Sequence, residues 1–337
     1  MKQTELKTYL SILASKVKTS PYKEVEITGK EIKVRGEKGN ANILFVFTCE
    51  TKGDGVYSPE ALNVLCLDLD ADISAYRIRD AEGWCVDRLG IYDTWLVNKD
   101  LLGQLTEAVK YVSKDTFRPS LCRVHFTNGD IMATDGYRGY LHWTGETTTN
   151  GSLSPSTIAV LKKCYKYGEW HIEFGKTPFS DNTQKVANEV FAVYDKGVEL
   201  DTVPQMRKLF ENRDLDTDTE VDFPYQALKL LRLNKNDSKV ELNIDPLGDS
   251  TSPLQIILEG QVLPLRAKYK RVSRKYSKTQ KDVKVLMPRS DGSCLICFDL
   301  DLLNCFPTDK AGNIKLTFKT GWTNPTQNGL KSIILVV

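Results

Sequence analysis

Two adjoining stretches decide the fold. The first is Asn98-Lys99-Asp100-Leu101-Leu102-Gly103-Gln104-Leu105-Thr106-Glu107-Ala108-Val109-Lys110-Tyr111-Val112. The second is Cys122-Arg123-Val124-His125-Phe126-Thr127-Asn128-Gly129-Asp130-Ile131-Met132-Ala133-Thr134-Asp135-Gly136. Asn98 is a helix cap, and Leu101, Leu105, Ala108, Val109 and Val112 lie on one helical face. Cys122, Val124 and Phe126 then alternate with polar residues, the period of a half-buried strand. Asn128-Gly129 tolerates the positive φ of a tight hairpin, and Ile131, Met132 and Ala133 form the returning strand. The unit is one helix followed by an antiparallel ladder.

The same order recurs on either side, which is the mark of an internal repeat. Leu6, Leu10, Leu13 and Val17 form a helical stripe, with strands expected at Glu24–Ile27, Glu31–Arg35 and Ala41–Phe47. Tyr57-Ser58-Pro59-Glu60-Ala61-Leu62 opens a second unit. Ser58 is its expected cap and Pro59 its first helical residue, with strands at Ile73–Arg79, Trp84–Arg88 and Thr94–Val97. Leu153-Ser154-Pro155-Ser156-Thr157-Ile158 repeats that start signal and opens a fourth unit. A fifth begins near Phe223-Pro224-Tyr225 and a sixth at Phe298-Asp299-Leu300. One helix with one ladder cannot cover both faces of its sheet, so the units pair. Six units give three α+β domains, expected at 1–97, 98–212 and 213–337.

Composition bounds the partners. Of 337 residues, 41% are hydrophobic and 27% charged, ordinary for a globular protein. No apolar run approaches the length of a bilayer span, and Met1–Leu6 reads as an amphipathic helix, so a cytoplasmic protein without membrane partners is expected. The eight cysteines lie mostly in apolar stretches and read as reduced, buried thiols; Cys294-Leu295-Ile296-Cys297 lacks a second pair. From Arg266 to Arg289 ten Lys or Arg residues meet one acid, Asp282, giving +9; with a total of +2, the remainder sums to −7. A basic segment on an acidic body meets a polyanion in one place. Tyr269 and Tyr276 interleave with these bases. The segment is either an exposed loop touching a polyanion or a partner, through Arg271, Arg274 and Lys275, or a solvated hairpin extension; charge alone does not identify the polyanion.

Nothing in the sequence demands catalysis. Asp68-Leu69-Asp70-Ala71-Asp72 opens like a calcium loop, but Ile73 stands at the glycine position and Arg79 at the glutamate position. No lysine-bearing phosphate loop is present, and the three histidines, His125, His142 and His171, make no catalytic set. No cofactor and no metal are expected.

Phe117-Arg118-Pro119-Ser120-Leu121-Cys122-Arg123, followed by Ala133-Thr134-Asp135-Gly136-Tyr137-Arg138, resembles the middle domain of the bacterial DNA polymerase III beta subunit, the DNA sliding clamp family. That family places an Arg-x-x-Leu element before a hairpin ending Ala-Thr-Asp-Gly-(His or Tyr)-Arg. Asp201-Thr202-Val203-Pro204-Gln205-Met206-Arg207-Lys208-Leu209 is similar to its segment closing that domain. The resemblance covers about 98–212 in detail and the rest through the repeat order. It implies three similar domains per chain, two chains in a ring, and helices lining the concave inner face around duplex DNA. It implies a docking pocket for short peptides of polymerase and clamp loader, carried over onto Leu121, Thr134, Gly136, Tyr137, Arg138, Pro204, Lys208, Leu209 and Val336. Candidate DNA contacts on the helices are Lys7, Lys16, Lys110, Lys114, Lys162, Lys163, Lys229 and Arg232. Long-range attraction to phosphates suits a protein that must slide.

The chain also departs from the family. Gly139 stands where a larger apolar residue is usual, and Val336-Val337 replaces a Met-Pro-containing tail, while Met287-Pro288 lies inside the third domain. With a short first domain, these features support the alternative of a clamp-fold adaptor or inhibitor that closes no ring.

Overall fold

The computed structural model describes residues 2–19, 24–38, 41–83, 89–127, 129–144, 150–177, 180–199, 217–231, 239–244, 253–258, 261–273, 279–284, 294–320 and 333–336. The chain divides into two compact units. One holds Met1–Ala133 with Thr144–Pro204, the other Thr134–Trp143 with Gln205–Val337.

In the first unit, helix α1 (Gln3–Thr19) buries Tyr9, Leu10, Ile12, Leu13, Ala14 and Val17. It packs on β2 (Glu31–Lys38) and β3 (Ala41–Thr48), which with β1 (Val25–Thr28) form an antiparallel ladder. β4 (Gly55–Tyr57) adds to the far side of β1, and β5 (Arg77–Arg79) to β4. Between them runs α2 (Glu60–Leu65). Ser58 does not cap α2; its hydroxyl bonds the Glu60 carboxylate instead. The strand expected at Ile73–Arg79 is a 3-10 turn, Ser74–Tyr76, running into β5. Asp72 binds the Ser74 amide at 2.9 Å, drawing the chain into that turn.

β6 (Gly90–Leu96), α3 (Lys99–Ala108), β7 (Val124–Thr127), β8 (Asp130–Thr134), β9 (Arg138–Trp143), β10 (Gly151–Leu153), α4 (Pro155–Cys164), β11 (His171–Thr177), β12 (Ser180–Ala187) and β13 (Phe191–Lys196) follow. The caps read from sequence hold for both longer helices here: Asn98 accepts from the Leu101 amide at 2.8 Å, and Ser154 from the Thr157 amide at 3.2 Å. Gly129 takes φ +81°, as the hairpin requires. β10, β7 and β8 form one ladder. β6, β11, β12 and β13 form another, and β13 pairs with β3, so the sheet runs β5-β4-β1-β2-β3-β13-β12-β11-β6.

Across the β3–β13 junction, Tyr9 stacks on Phe191 with centroids 5.2 Å apart, and Asn188 donates to the Tyr9 hydroxyl at 2.9 Å. Between the two ladders, Trp95, Phe126 and Phe174 meet edge to face. One buried ion pair ties the unit together. Arg123 bonds Asp195 at 2.7 Å and the Ser152 hydroxyl and carbonyl at 2.8 and 2.9 Å. The other Asp195 oxygen accepts from the Ser154 amide and Thr157 hydroxyl, at the start of α4. With its oxygens so satisfied, the carboxylate stays buried without an unpaired charge.

The second unit is built from β9, β14 (Thr217–Phe223), α5 (Tyr225–Leu231), β15 (Lys239–Ile244), β16 (Pro253–Leu258), β17 (Gln261–Ser273), β18 (Thr279–Lys284), β19 (Cys294–Asp299), β20 (Ile314–Thr320) and β21 (Ile333–Val336). Its strands run β9-β18-β21-β20-β14-β17-β16-β15-β19. Where a sixth helix is expected, Leu300–Cys305 is a 3-10 helix that buries Leu300 and Leu303.

Strand order carries the repeat. In β4-β1-β2-β3, β10-β7-β8 and β19-β15-β16-β17, the strand leading into the second helical element lies outside those following the first. In β6-β11-β12-β13 and β14-β20-β21, the strand before the first helix flanks the first strand after the second.

Candidate functional site

Two loops carry the residues singled out by sequence. In the first unit, residues 113–122 form a closed loop: the Ser113 amide donates to the Leu121 carbonyl at 2.7 Å. Asp115 staples its interior. Its Oδ1 accepts from the Phe117 amide at 3.0 Å, and its carbonyl accepts from the Arg118 amide at 3.1 Å and the Cys122 thiol at 3.0 Å. Leu121 sits half-buried in the 3-10 turn Pro119–Cys122. From beneath, His125 Nε2 bonds the Ser120 carbonyl. Burial pushes the imidazole down to about 4, with nearby Arg123 adding to the shift and the Ser120 bond opposing it, so it is neutral at neutral pH.

In the second unit, Thr134–Arg138 form a turn organised by Asp135. Asp135 Oδ1 accepts from the Tyr137 and Arg138 amides at 2.9 and 2.7 Å, and Oδ2 from the Arg138 guanidinium at 2.9 Å. Gly136 takes φ +88°, its amide donating to the Thr134 hydroxyl. Asp135 and Gly136 thus build the turn, as their types suggest. Tyr137 is left 58% exposed. Burial works against the charge of Arg138, but Asp135 and the Cys305 sulfur outweigh it and hold the guanidinium above its ordinary value. Cys305 at this turn carries no sequence signal; it comes from the 3-10 helix far along the chain.

β9 pairs with β18 (Gly139↔Asp282) and β18 with β21 (Asp282↔Val336). Register therefore puts Val336 level with Gly139 but two strands away, with β18 between them. Pro204, Lys208 and Leu209 lie outside the described residues, as do Arg232, Arg274 and Lys275.

The helices of the first unit touch in the succession α2, α1, α4, α3. Of their lysines, Lys7, Lys162 and Lys163 are exposed and make no ion pair among the described residues, whereas Lys114, expected on a helix, lies exposed in the loop 113–122 because the helix ends at Ala108 and its 3-10 extension at Tyr111. Others have local partners. Lys16 lies 6.0 Å from the Phe45 ring centroid, Lys110 binds Glu107 at 2.6 Å, and on α5 Lys229 lies 5.7 Å from the Tyr225 centroid.

The basic segment is not a loop over most of its length. β17 and β18 take up much of it, because Leu265, Ala267 and Tyr269 alternate with Arg266, Lys268 and Lys270 at the strand period. β14 supplies acids alongside: Glu220 is in register with Lys270, and Asp222 with Lys315 of β20. Arg271 sits in β17 opposite Thr219. Of the bases in this segment, Lys270 thus stands opposite an acid within the sheet.

Among the described residues no group of His, Cys, Asp and Glu could hold a metal ion, and no helix is long and apolar enough to cross a membrane.

No protein-family model matches this chain, and no curated protein does. Solved structures match it along its whole length. A putative DNA polymerase III beta subunit from Eubacterium rectale gives a TM-score of 0.63 at 11% identity, covering 100% of this chain and 97% of that one. The DNA polymerase III beta subunit of Thermotoga maritima gives 0.57 at 13%, with the same coverages. A DNA polymerase sliding clamp from Pseudomonas aeruginosa gives 0.60 at 12%, covering 100% and 98%. The chain has the sliding-clamp fold.

Proposed function

We propose that this chain is a DNA sliding clamp, a non-catalytic processivity factor that encircles duplex DNA and tethers polymerase and clamp loader. The observation that carries the reading is full-length agreement with sliding-clamp structures, reached through a strand order that repeats within the chain. In this reading residues 1–97, 98–212 and 213–337 are three look-alike domains, and two chains close a cytoplasmic ring with the helices inside. Lys7, Lys162 and Lys163 face the phosphates; their attraction is long-ranged and blind to sequence, so DNA is held without being gripped. Partner peptides dock at Leu121, Thr134, Gly136, Tyr137, Arg138, Pro204, Lys208, Leu209 and Val336, a mix of apolar and polar side chains of the kind that anchors an extended peptide.

The test is topological. Protein assembled on nicked circular DNA is expected to stay bound through gel filtration in high salt and to be lost once the circle is cut. Equal retention on circular and linear DNA would refute encirclement.

A second reading, an adaptor of the same fold that closes no ring, has one observation behind it. The outermost strand β5 is three residues long, and its arginines are engaged by acids of their own unit: Arg77 with Asp80, Arg79 with Glu24 and Glu82. Short, charged edges are how sheets avoid pairing with other chains.

A further inference from the structure

We infer that Phe117 is a second anchor for partner proteins. It is a specificity-determining side chain that receives an apolar residue flanked by an acid, in the segment adjoining the peptide held at Leu121. The inference rests on the pocket proposed above and extends it along the same loop.

Phe117 is 93% exposed, the most exposed large apolar side chain described. An aromatic on a slack loop could fold back onto the surface, whereas this one is carried on a fixed frame. The Asp115 carboxylate holds the Phe117 amide, the Asp115 carbonyl holds the next amide and the Cys122 thiol, and the Ser113–Leu121 bond closes the loop behind them. The buried His125 pins the Ser120 carbonyl one residue before Leu121. Rigid presentation of an aromatic ring to water is the signature of a binding hot spot, because little freedom is lost when the ring is covered.

The charge around it indicates what covers it. Lys114 is exposed, and Arg118 is 66% exposed with its nearest acid contact, Asp115, at 3.8 Å. One Asp115 oxygen is committed to the Phe117 amide, and the other meets Arg118 only at that 3.8 Å. An apolar side chain with a neighbouring Asp or Glu fits an exposed phenyl ring between two cations. A nucleobase would also stack there, but stacking contributes about 1–3 kcal/mol per base. A protein that must slide along DNA is poorly served by such a grip.

A random-peptide display selection on the full chain supplies the probe. The peptide most enriched by the wild-type protein is then titrated against wild type, Phe117→Leu, Phe117→Ala and Tyr137→Glu. Phe117→Ala is expected to weaken binding about tenfold or more, Phe117→Leu less, and Tyr137→Glu to abolish it. Selection on Phe117→Ala is expected to lose the acid-flanked apolar residue while keeping the rest of the motif. Wild-type affinity in Phe117→Ala, together with loss in Tyr137→Glu, would overturn the second anchor and leave the pocket standing. Unchanged binding in Tyr137→Glu would overturn the pocket itself, and the anchor with it. If Phe117→Ala lost affinity only for a single-stranded oligonucleotide, the ring would be a base-stacking contact and the inference wrong. Melting curves of the variants confirm that an exposed side chain was changed in an intact fold.

Discussion

His125 shows how a residue read correctly can still be underread. Its place in a strand is legible from the alternation around it, and three scattered histidines suggest no catalytic set. What the sequence does not reveal is that the ring is fully covered and spends its Nε2 on the Ser120 carbonyl, setting the turn that carries Leu121. The consequence is measurable. Burial lowers its pKa to about 4 in the folded chain, below the ordinary value of 6.5. The unfolded chain therefore takes up the proton first as pH falls, and stability present above about 6.5 is lost towards 4. His125→Gln keeps a neutral donor for Ser120 but cannot titrate. Between those two pH values, urea unfolding should show wild type losing on the order of 2–3 kcal/mol more than the variant. Parallel pH profiles would mean that His125 is not buried neutral. Phe117 was also present in the stretch that carries the family resemblance, yet an aromatic before Arg-Pro reads as ordinary until its exposure is known.

Among the elements, periodicity recovered what apolar residues pattern and missed what polar ones hide. The stripe of α1, the Asn128-Gly129 hairpin and the caps Asn98 and Ser154 were all legible. β12 was not, because Asn182, Thr183 and Gln184 look like loop residues although each is buried. Their partners are distant in sequence: Asn182 donates to the Val198 carbonyl, and Gln184 accepts from the Ser152 amide. β17 was concealed by its charge, which reads as solvated until its register against acidic β14 is seen. On the proposed DNA-binding role, the helices are a separate source of attraction, chiefly α4, whose last turn carries Lys162 and Lys163. If both face phosphate, replacing them with Gln removes two released counterions. The salt dependence of duplex binding, measured by fluorescence anisotropy, should then flatten by about 1.8 in the log–log slope. Lys52→Gln, which removes a lysine paired with Asp70 outside the helices, should leave the slope unchanged. Equal slopes for the α4 variant and wild type would remove these lysines from the DNA path.

At the level of the whole molecule the open question is closure, and strand order says where to look. Closing a ring from sheets needs a free edge at each end of the chain's succession of ladders. The nine-stranded sheet ends in β5 and β6. β6 lies beside its own neighbour, the Tyr92 hydroxyl donating to the Asn150 carbonyl just before β10. If two chains close the proposed ring, β5 is the edge of the first unit open to a second copy, and β19 is the outermost described strand of the other unit. With only three residues, β5 offers few backbone bonds, and its arginines are held by local acids. A ring closed there would lean on apolar contact, to which Ile78, 52% exposed between those arginines, would contribute. Wild-type protein should sediment at twice the chain mass at micromolar concentration. Ile78→Glu should sediment as single chains with an unchanged melting temperature, and should no longer be retained on circular DNA. A variant that stays dimeric would move the closing edge elsewhere. Wild-type protein that is monomeric throughout would decide for the adaptor, because a short edge already neutralised by its own acids would then be serving to prevent pairing.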